Sequence, residues 1–591
     1  MKAEERWQAR FRAPRVTLPV WARQAPGRAV YRSNASGAWE IYAWDRVAGS
    51  VRQATSRPKG TSHAAIDPTG RWIWWFSDTD GDEWGRWMRQ PFGGGPDEPV
   101  DLDPGFPAGI GLASTGEAVI GVARPGRGFT VHLLRPGEPP RTIYEHTEAV
   151  SVSAVSLDGS LIAIGHSEHG DSRHPALRVL RRNGDTVGDL YDGPGRGVVG
   201  VRFAPVAGDR RLLALHERRG RREPLVWDPE SGEQREIWLR DPGEITADWY
   251  DDGRSLLVVR GHRGRTTLTR YDLAGGALHP IETRHGVIDA AAPRPDGSVE
   301  YSWSSGAHPP VIRSSSGHVV MNHGGPTSPP SVPVEDVDVE GPGGRIHALV
   351  SRPERGSGPF PAVFLLHGGP TAQDDDSFVP QVAAWVDLGF AVVRVNYRGS
   401  TGYGSTWRDA LSGDVGHIEL SDVAAVRDAM VERGVCDPDR LVLAGASWGG
   451  YLTLLGLGTQ PKTWAAGIAA VPIADHAATY EEETEALRSY HRALMGGSPA
   501  EYPERYVACS PITYVDQVEA PVLILAGEND PRCPIGQIEA YVARLAGRGH
   551  EHEVYRYDAG HGSLVVSERI AQMAVQLDFA RKHVKTDTQA F

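Results

Sequence analysis

Three side chains with complementary chemistry stand late in the chain: Ser447, Asp530 and His561. A serine hydroxyl is a poor nucleophile at neutral pH. It becomes effective when a base takes its proton and a carboxylate holds that base in the right tautomer. Ser447 lies in Gly445-Ala-Ser447-Trp-Gly449, a GxSxG spacing whose glycines let backbones approach closely beneath a serine on a sharp strand-to-helix turn. The buried-strand pattern Leu441-Val-Leu-Ala444 precedes it, and the apolar helical stretch Tyr451-Leu-Thr-Leu-Leu-Gly-Leu follows. Asp530 follows the apolar run 522–526 in Gly527-Glu-Asn-Asp530-Pro-Arg-Cys-Pro, and His561 follows the strand pattern 551–557 in Asp558-Ala-Gly-His561-Gly. The order Ser, Asp, His is the one this nucleophile turn requires. Glu528 is the rival carboxylate, but it sits closer to the strand end.

Attack by Ser447 on a carbonyl would leave negative charge on oxygen, and each donor preorganised there is typically worth about 2.7–4 kcal/mol. The backbone N–H of Trp448 is one expected donor. The second is expected from Gly368 or Gly369 of His367-Gly-Gly-Pro370, which ends the apolar strand 362–366. Substrate contacts are expected from acidic residues able to meet a free amine: Glu83, in the propeller-side turn Asp78-Thr-Asp-Gly-Asp-Glu83, and Glu481 and Glu482, in the segment after Asp475. Tyr451 is a further substrate-binding candidate.

These groups need a scaffold, and the chain changes texture to supply one. After residue 340, strands alternate with helices, the pattern of a mostly parallel, doubly wound sheet of the α/β-hydrolase type. The helical spacing of 421–433 suggests Ser421 as an N-cap, and a last helix runs from Glu568 to about Lys582. Before residue 320 the chain reads as all-β, with turn glycines ahead of short apolar strands. Gly27, Gly70, Gly116, Gly159, Gly208, Gly253 and Gly297 are separated by 43, 46, 43, 49, 45 and 44 residues. Seven units of several short strands fit a seven-bladed β-propeller, each blade burying its faces against its neighbours. The expected organisation is an N-terminal segment (1–20) packing on the hydrolase domain, a propeller (21–325), a linker (326–340) and an α/β-hydrolase domain (341–591).

The later half resembles the prolyl oligopeptidase family of serine peptidases, in its acylaminoacyl-peptidase-like branch. The resemblance rests on His367-Gly-Gly-Pro, Asn396-Tyr-Arg-Gly-Ser-Thr-Gly-Tyr-Gly404, Gly445-Ala-Ser-Trp-Gly-Gly-Tyr451, Ser510-Pro-Ile-Thr, Asp530-Pro-Arg-Cys-Pro534 and Gly560-His-Gly. Two positions depart from it: Trp448 where the family often has Tyr, and Cys533 where it often has Val. The resemblance implies a propeller capping the active site and hydrolysis of short peptides through an acyl-enzyme, with no metal or organic cofactor. An aminopeptidase or acylaminoacyl-peptidase is favoured. Oligopeptidase activity and carboxylesterase activity on small esters remain alternatives.

Composition narrows the partners. The 591 residues are too many for one core, and a formal charge of −13 disfavours nucleic acid and anionic membranes as partners. The charged start, with no apolar run of 18 residues anywhere, implies a cytoplasmic protein. Oligomeric state stays open. Cys436, Cys509 and Cys533 have no zinc-type spacing and read as reduced structural thiols. The cluster His166-Ser-Glu-His-Gly-Asp-Ser-Arg-His174 reads as a solvated loop rather than a metal site, and 218–222 as a hairpin tip.

Overall fold

The turn glycines mark where the first strand of a blade folds back into the second. In the computed structural model, which describes residues 3–321, 325–411 and 413–585, six of the seven have positive φ, from 61° at Gly253 to 88° at Gly116. Gly27 is the exception. It lies inside the strand Ala25–Ser33, and the first blade turns earlier, at residues 23–24. The period nonetheless counts the blades correctly: seven antiparallel sheets cover 20–53, 64–99, 106–146, 150–190, 198–236, 244–281 and 287–314, six of four strands and the last of three.

Among the described residues no strand is shared between the last blade and the first, and side chains close the ring. Glu300 accepts from Trp21 Nε1 at 2.7 Å and from Arg46 Nη1 at 2.9 Å. Arg294 lies 4.0 Å from the Trp21 ring centroid and donates to Pro26 O at 2.6 Å.

The catalytic-type domain is one eight-stranded sheet: β1 (Glu335–Gly341), β2 (Gly344–Ser351), β3 (Phe360–Leu366), β4 (Ala391–Asn396), β5 (Cys436–Ala446), β6 (Ala466–Ala470), β7 (Val522–Gly527) and β8 (His552–Tyr557). Its order is β1-β2-β4-β3-β5-β6-β7-β8, and all pairs from β4 to β8 are parallel. Strand β1 falls within the stretch expected to be linker; it pairs with β2 and forms the sheet's antiparallel edge. The helices that bear on the site are α1 (Ala3–Arg12), α2 (Pro380–Asp387), α3 (His417–Glu432), α4 (Trp448–Thr459), α5 (His476–Glu482), α6 (Glu485–Met495), α7 (Ile535–Gly547) and α8 (Val566–His583). Trp7 and Phe11 of α1 join the core formed by α2, α8 and one face of the sheet, and buried Arg10 pairs with Asp387. Among the described residues no helix is long and apolar enough to cross a membrane.

Helix α3 starts one turn before the expected cap at Ser421. Glu419 Oε2 accepts from Gly416 N at 2.7 Å, a capping-box contact with glycine at the cap, while Ser421 Oγ bonds back to Ile418 O at 2.7 Å inside the helix.

In six blades the hairpin between the second and third strands meets the sheet domain, and this explains a misreading of the 166–174 loop. That loop is not solvated: His166, Ser167 and His174 are buried. His174 bridges Asp171 of the propeller (2.7 Å) and Asp409 of the sheet domain (3.2 Å). Burial alone would depress this imidazole, yet the two carboxylates prevail and raise it to about 9. Beside it, buried Arg408 grips Glu217 through both oxygens, and the 218–222 hairpin receives Ser405 N on Gly220 O at 2.7 Å. Truncating Arg408 to Ala takes the closest cation from the buried Glu217 carboxylate and leaves it Gly197 N at 3.1 Å and Arg222 Nε at 3.4 Å, so the cost should fall below the ~3–5 kcal/mol typical of a fully broken buried pair. The expected result is a clear fall in the unfolding midpoint, and Glu217→Gln in the same background should recover part of it.

Candidate active site

Ser447 stands at the end of β5 with φ 57° and ψ −119°, outside the regions that L-residues prefer. The strain is held by packing against which only glycine fits. A Cβ on Gly449 would meet Leu366 O at 2.1 Å, and one on Gly445 would meet the Gly449 backbone at 2.5 Å. Ser447 N donates to Ala470 O at 2.9 Å, and Tyr451 N closes the first turn of α4 on Ser447 O at 2.8 Å.

Asp530 and His561 come from the loops after β7 and β8. Asp530 Oδ1 accepts from the backbone N–H groups of Arg532 (2.8 Å) and Cys533 (3.0 Å), and Oδ2 accepts from His561 Nδ1 at 2.8 Å. The carboxylate thereby fixes the imidazole with Nδ1 protonated and leaves Nε2 for a substrate-side proton. Ser447 reaches this corner through its neighbours: Val471, next to its partner Ala470, packs with Tyr557 and Ala559 of the histidine loop. Among the described residues no hydrogen bond joins Ser447 to His561. Catalytic hydrogen bonds are often long without substrate and tighten when it binds.

Gly368 faces the same turn. A methyl placed on it would lie 3.5 Å from Ser447 Cβ and 3.9 Å from Trp448 N, so this stretch of loop and the Trp448 amide border one small space. Gly369 adopts φ 127°. The loop is held from behind: Tyr397 donates to His367 O at 2.7 Å, its ring stacks on His367 at 4.3 Å, and His367 Nε2 meets Ser400 Oγ at 2.9 Å.

The Trp448 indole is anchored by a residue the sequence reading missed. Its Nε1 donates at 3.1 Å to Glu419 Oε1, and its ring packs on Tyr451 and His476. Burial raises the Glu419 carboxyl to about 8, although donors from Gly416 and Trp448 pull the other way. The Gly416-x-x-Glu419 capping spacing was the available signal.

The expected substrate-side residues are less well placed. Glu83, itself at φ 62°, is paired with Arg532 at 2.8 Å across the domain boundary. Glu481 and Glu482 are exposed at the end of α5, and the buried member of that run is Glu483, which accepts from His491 Nδ1 at 2.7 Å. Tyr451 is fully buried and donates to Val415 O at 3.1 Å, so it supports Trp448 from the core and lines no open wall.

The propeller reaches this corner with its first two blades. Asn529 donates to Asp80 O at 3.1 Å, Lys59 pairs with Asp558 at 2.5 Å, and Trp39 N donates to Leu564 O at 3.0 Å. A Cβ on Gly560, the residue before His561, would fall 1.8 Å from Gly81 O, so the histidine loop and the blade-two hairpin touch backbone to backbone.

Residues 376–587 match the sequence profile described as the Prolyl oligopeptidase family. The chain is 31% identical over 237 residues to an acylamino-acid-releasing enzyme of Arabidopsis thaliana, covering 38% of this chain and 31% of that protein. It is 25% identical over 402 residues to dipeptidyl aminopeptidase BIII of Pseudoxanthomonas mexicana, covering 63% and 54%. These matches thus span about a third to a half of the relatives' own length. Among solved structures, the acylaminoacyl peptidase of Pyrococcus horikoshii superposes with a TM-score of 0.73 at 16% identity, covering 99% of this chain and 98% of that one. A puromycin hydrolase superposes with a TM-score of 0.81 at 21% identity, covering 98% and 96%. The similarity to the prolyl oligopeptidase family thus lies in residues 376–587, about a third of the chain, which include Ser447, Asp530 and His561, while the solved structures share the fold over nearly the whole chain.

Proposed function

We propose that this protein is a serine peptidase that hydrolyses short peptides through an acyl-enzyme. Ser447 attacks the carbonyl, His561 Nε2 takes its proton and returns it to the leaving amine, and Asp530 holds the imidazole. The Trp448 amide and the 368–369 loop receive the oxyanion, and the propeller limits what enters. The observation that carries this reading is the 2.8 Å Asp530–His561 contact in a loop joined to the elbow through Val471 and roofed by blade hairpins.

Exopeptidase action fits best, as do relatives named for releasing acylamino acids or dipeptides. Between the two modes, an acyl-blocked N-terminus is favoured. A free amine would need an unpaired carboxylate near the site, and Glu83 is already satisfied by Arg532. Matched peptides differing only in N-terminal acetylation should therefore be cleaved faster when blocked, with a single acylamino acid as the product mass. Preference for the free amine would reverse the choice of mode. Turnover of esters with negligible turnover of the corresponding amides would replace the peptidase reading with a carboxylesterase.

A further inference from the structure

In the amino-acid sequence Cys533 stands without a partner, but the fold brings it to Asp530 and His561. Asp530-Pro-Arg-Cys533 is a tight turn in which Asp530 Oδ1 accepts from both Arg532 N and Cys533 N, so the thiol is delivered to the side of the carboxylate that already holds His561. One sulfur, one carboxylate oxygen and one imidazole nitrogen from these residues lie within 4.8 Å of one another. Cysteine and aspartate side chains are almost fully buried there, while the imidazole is 16% exposed and leaves one approach open.

We propose that Cys533, Asp530 and His561 form an inhibitory binding site for a thiophilic divalent cation of the zinc class. Zinc takes sulfur at about 2.3 Å and nitrogen or carboxylate oxygen at about 2.0–2.2 Å in a tetrahedron, and three protein ligands with an open fourth position suit it. Small side-chain rotations bring the three donors inward. The fourth position faces the approach past the imidazole and takes water.

The proton balance explains why occupancy stops catalysis. Binding expels the Cys533 thiol proton to solvent. The Nδ1 proton of neutral His561 is displaced by the metal, and the ring takes up a proton at Nε2 from solvent, so one proton is released in all. An imidazole bound through Nδ1 and protonated at Nε2 cannot accept the proton of Ser447. A sulfur donor among the three ligands favours thiophilic cations, and hard cations with no affinity for sulfur gain nothing from the site.

The inference rests on the proposed triad, and its test separates the two. With the full-length enzyme and a chromogenic acyl-peptide amide, ZnCl2 should abolish turnover and EDTA should restore it, while MgCl2 has no effect. The concentration for half inhibition should fall about tenfold per pH unit, as release of one proton requires. Cys533→Val should remain active without metal and need at least about tenfold more zinc. Cobalt added to Ser447→Ala should give a sulfur-to-metal charge-transfer band that is missing in Ser447→Ala/Cys533→Val, a readout independent of turnover. Equal zinc sensitivity of wild type and Cys533→Val, zinc resistance of the wild type, or absence of the cobalt band would overturn the site. Undiminished turnover by Ser447→Ala would instead overturn the peptidase reading and leave the cobalt result standing.

Discussion

Ser447→Ala is expected to lower turnover by roughly 10⁴–10⁶-fold while leaving the fold intact. Among the described residues the structure assigns no hydrogen bond to the Ser447 hydroxyl, so its removal strands no buried partner. The strained φ of 57° is borne equally by serine and alanine, since both carry a Cβ. Stability should therefore change by no more than about 0.5 kcal/mol, the range of a substitution that breaks no contact. Substrate should still bind, because the propeller hairpins, Trp448 and the 368–369 loop are untouched. Single-turnover measurements with a fluorogenic acyl-peptide, beside thermal unfolding of the same sample, decide the matter. Ordinary activity in a folded variant would remove Ser447 from the mechanism.

The legible part of this molecule was written in local patterns. GxSxG between an apolar strand and an apolar helix specifies its own geometry, because Gly445 and Gly449 are demanded by contacts below the elbow. The blade period was visible since six of its glycines need positive φ at a turn. Gly27 fitted the spacing by coincidence and carries no such requirement. Strand β6, Ala466-Gly-Ile-Ala-Ala470, escaped notice because small residues give little strand signal; its place is set by β5 and β7 on either side.

What stayed hidden depended on which surfaces face each other. Glu481 and Glu482 looked as suitable as Glu483, and only the direction of α5 buries the third and exposes the others. The 166–174 cluster reads as a solvated loop because such loops usually are, and 218–222 reads rightly as a hairpin tip without telling what the tip faces. Their partners, Arg408 and Asp409, are about 200 residues away in sequence, and the pairing appears only when the hairpins are aimed at the sheet domain. Cys533 follows the same logic, being ordinary in sequence and placed by the turn that Asp530 nucleates.

Asp530→Asn should be nearly as damaging as loss of the nucleophile, although it replaces one oxygen with nitrogen and leaves the volume unchanged. The reason lies in the two backbone donors on Asp530 Oδ1, from Arg532 at 2.8 Å and Cys533 at 3.0 Å. In the asparagine variant those donors hold the amide oxygen in the Oδ1 position and direct the NH2 group at His561. Nδ1 must then accept instead of donate, so the neutral ring carries its proton on Nε2 and cannot take one from Ser447. A loss of roughly 10⁴-fold in kcat is expected, with KM little changed, as for an interaction that serves the transition state. Because Oδ1 keeps both donors, the loop should stay ordered, and unfolding should shift little. The imidazole N–H resonance provides the direct check: its coupling should move from Nδ1 to Nε2 in the variant. A variant that retains Nδ1–H and full kcat would show that another group orients the base.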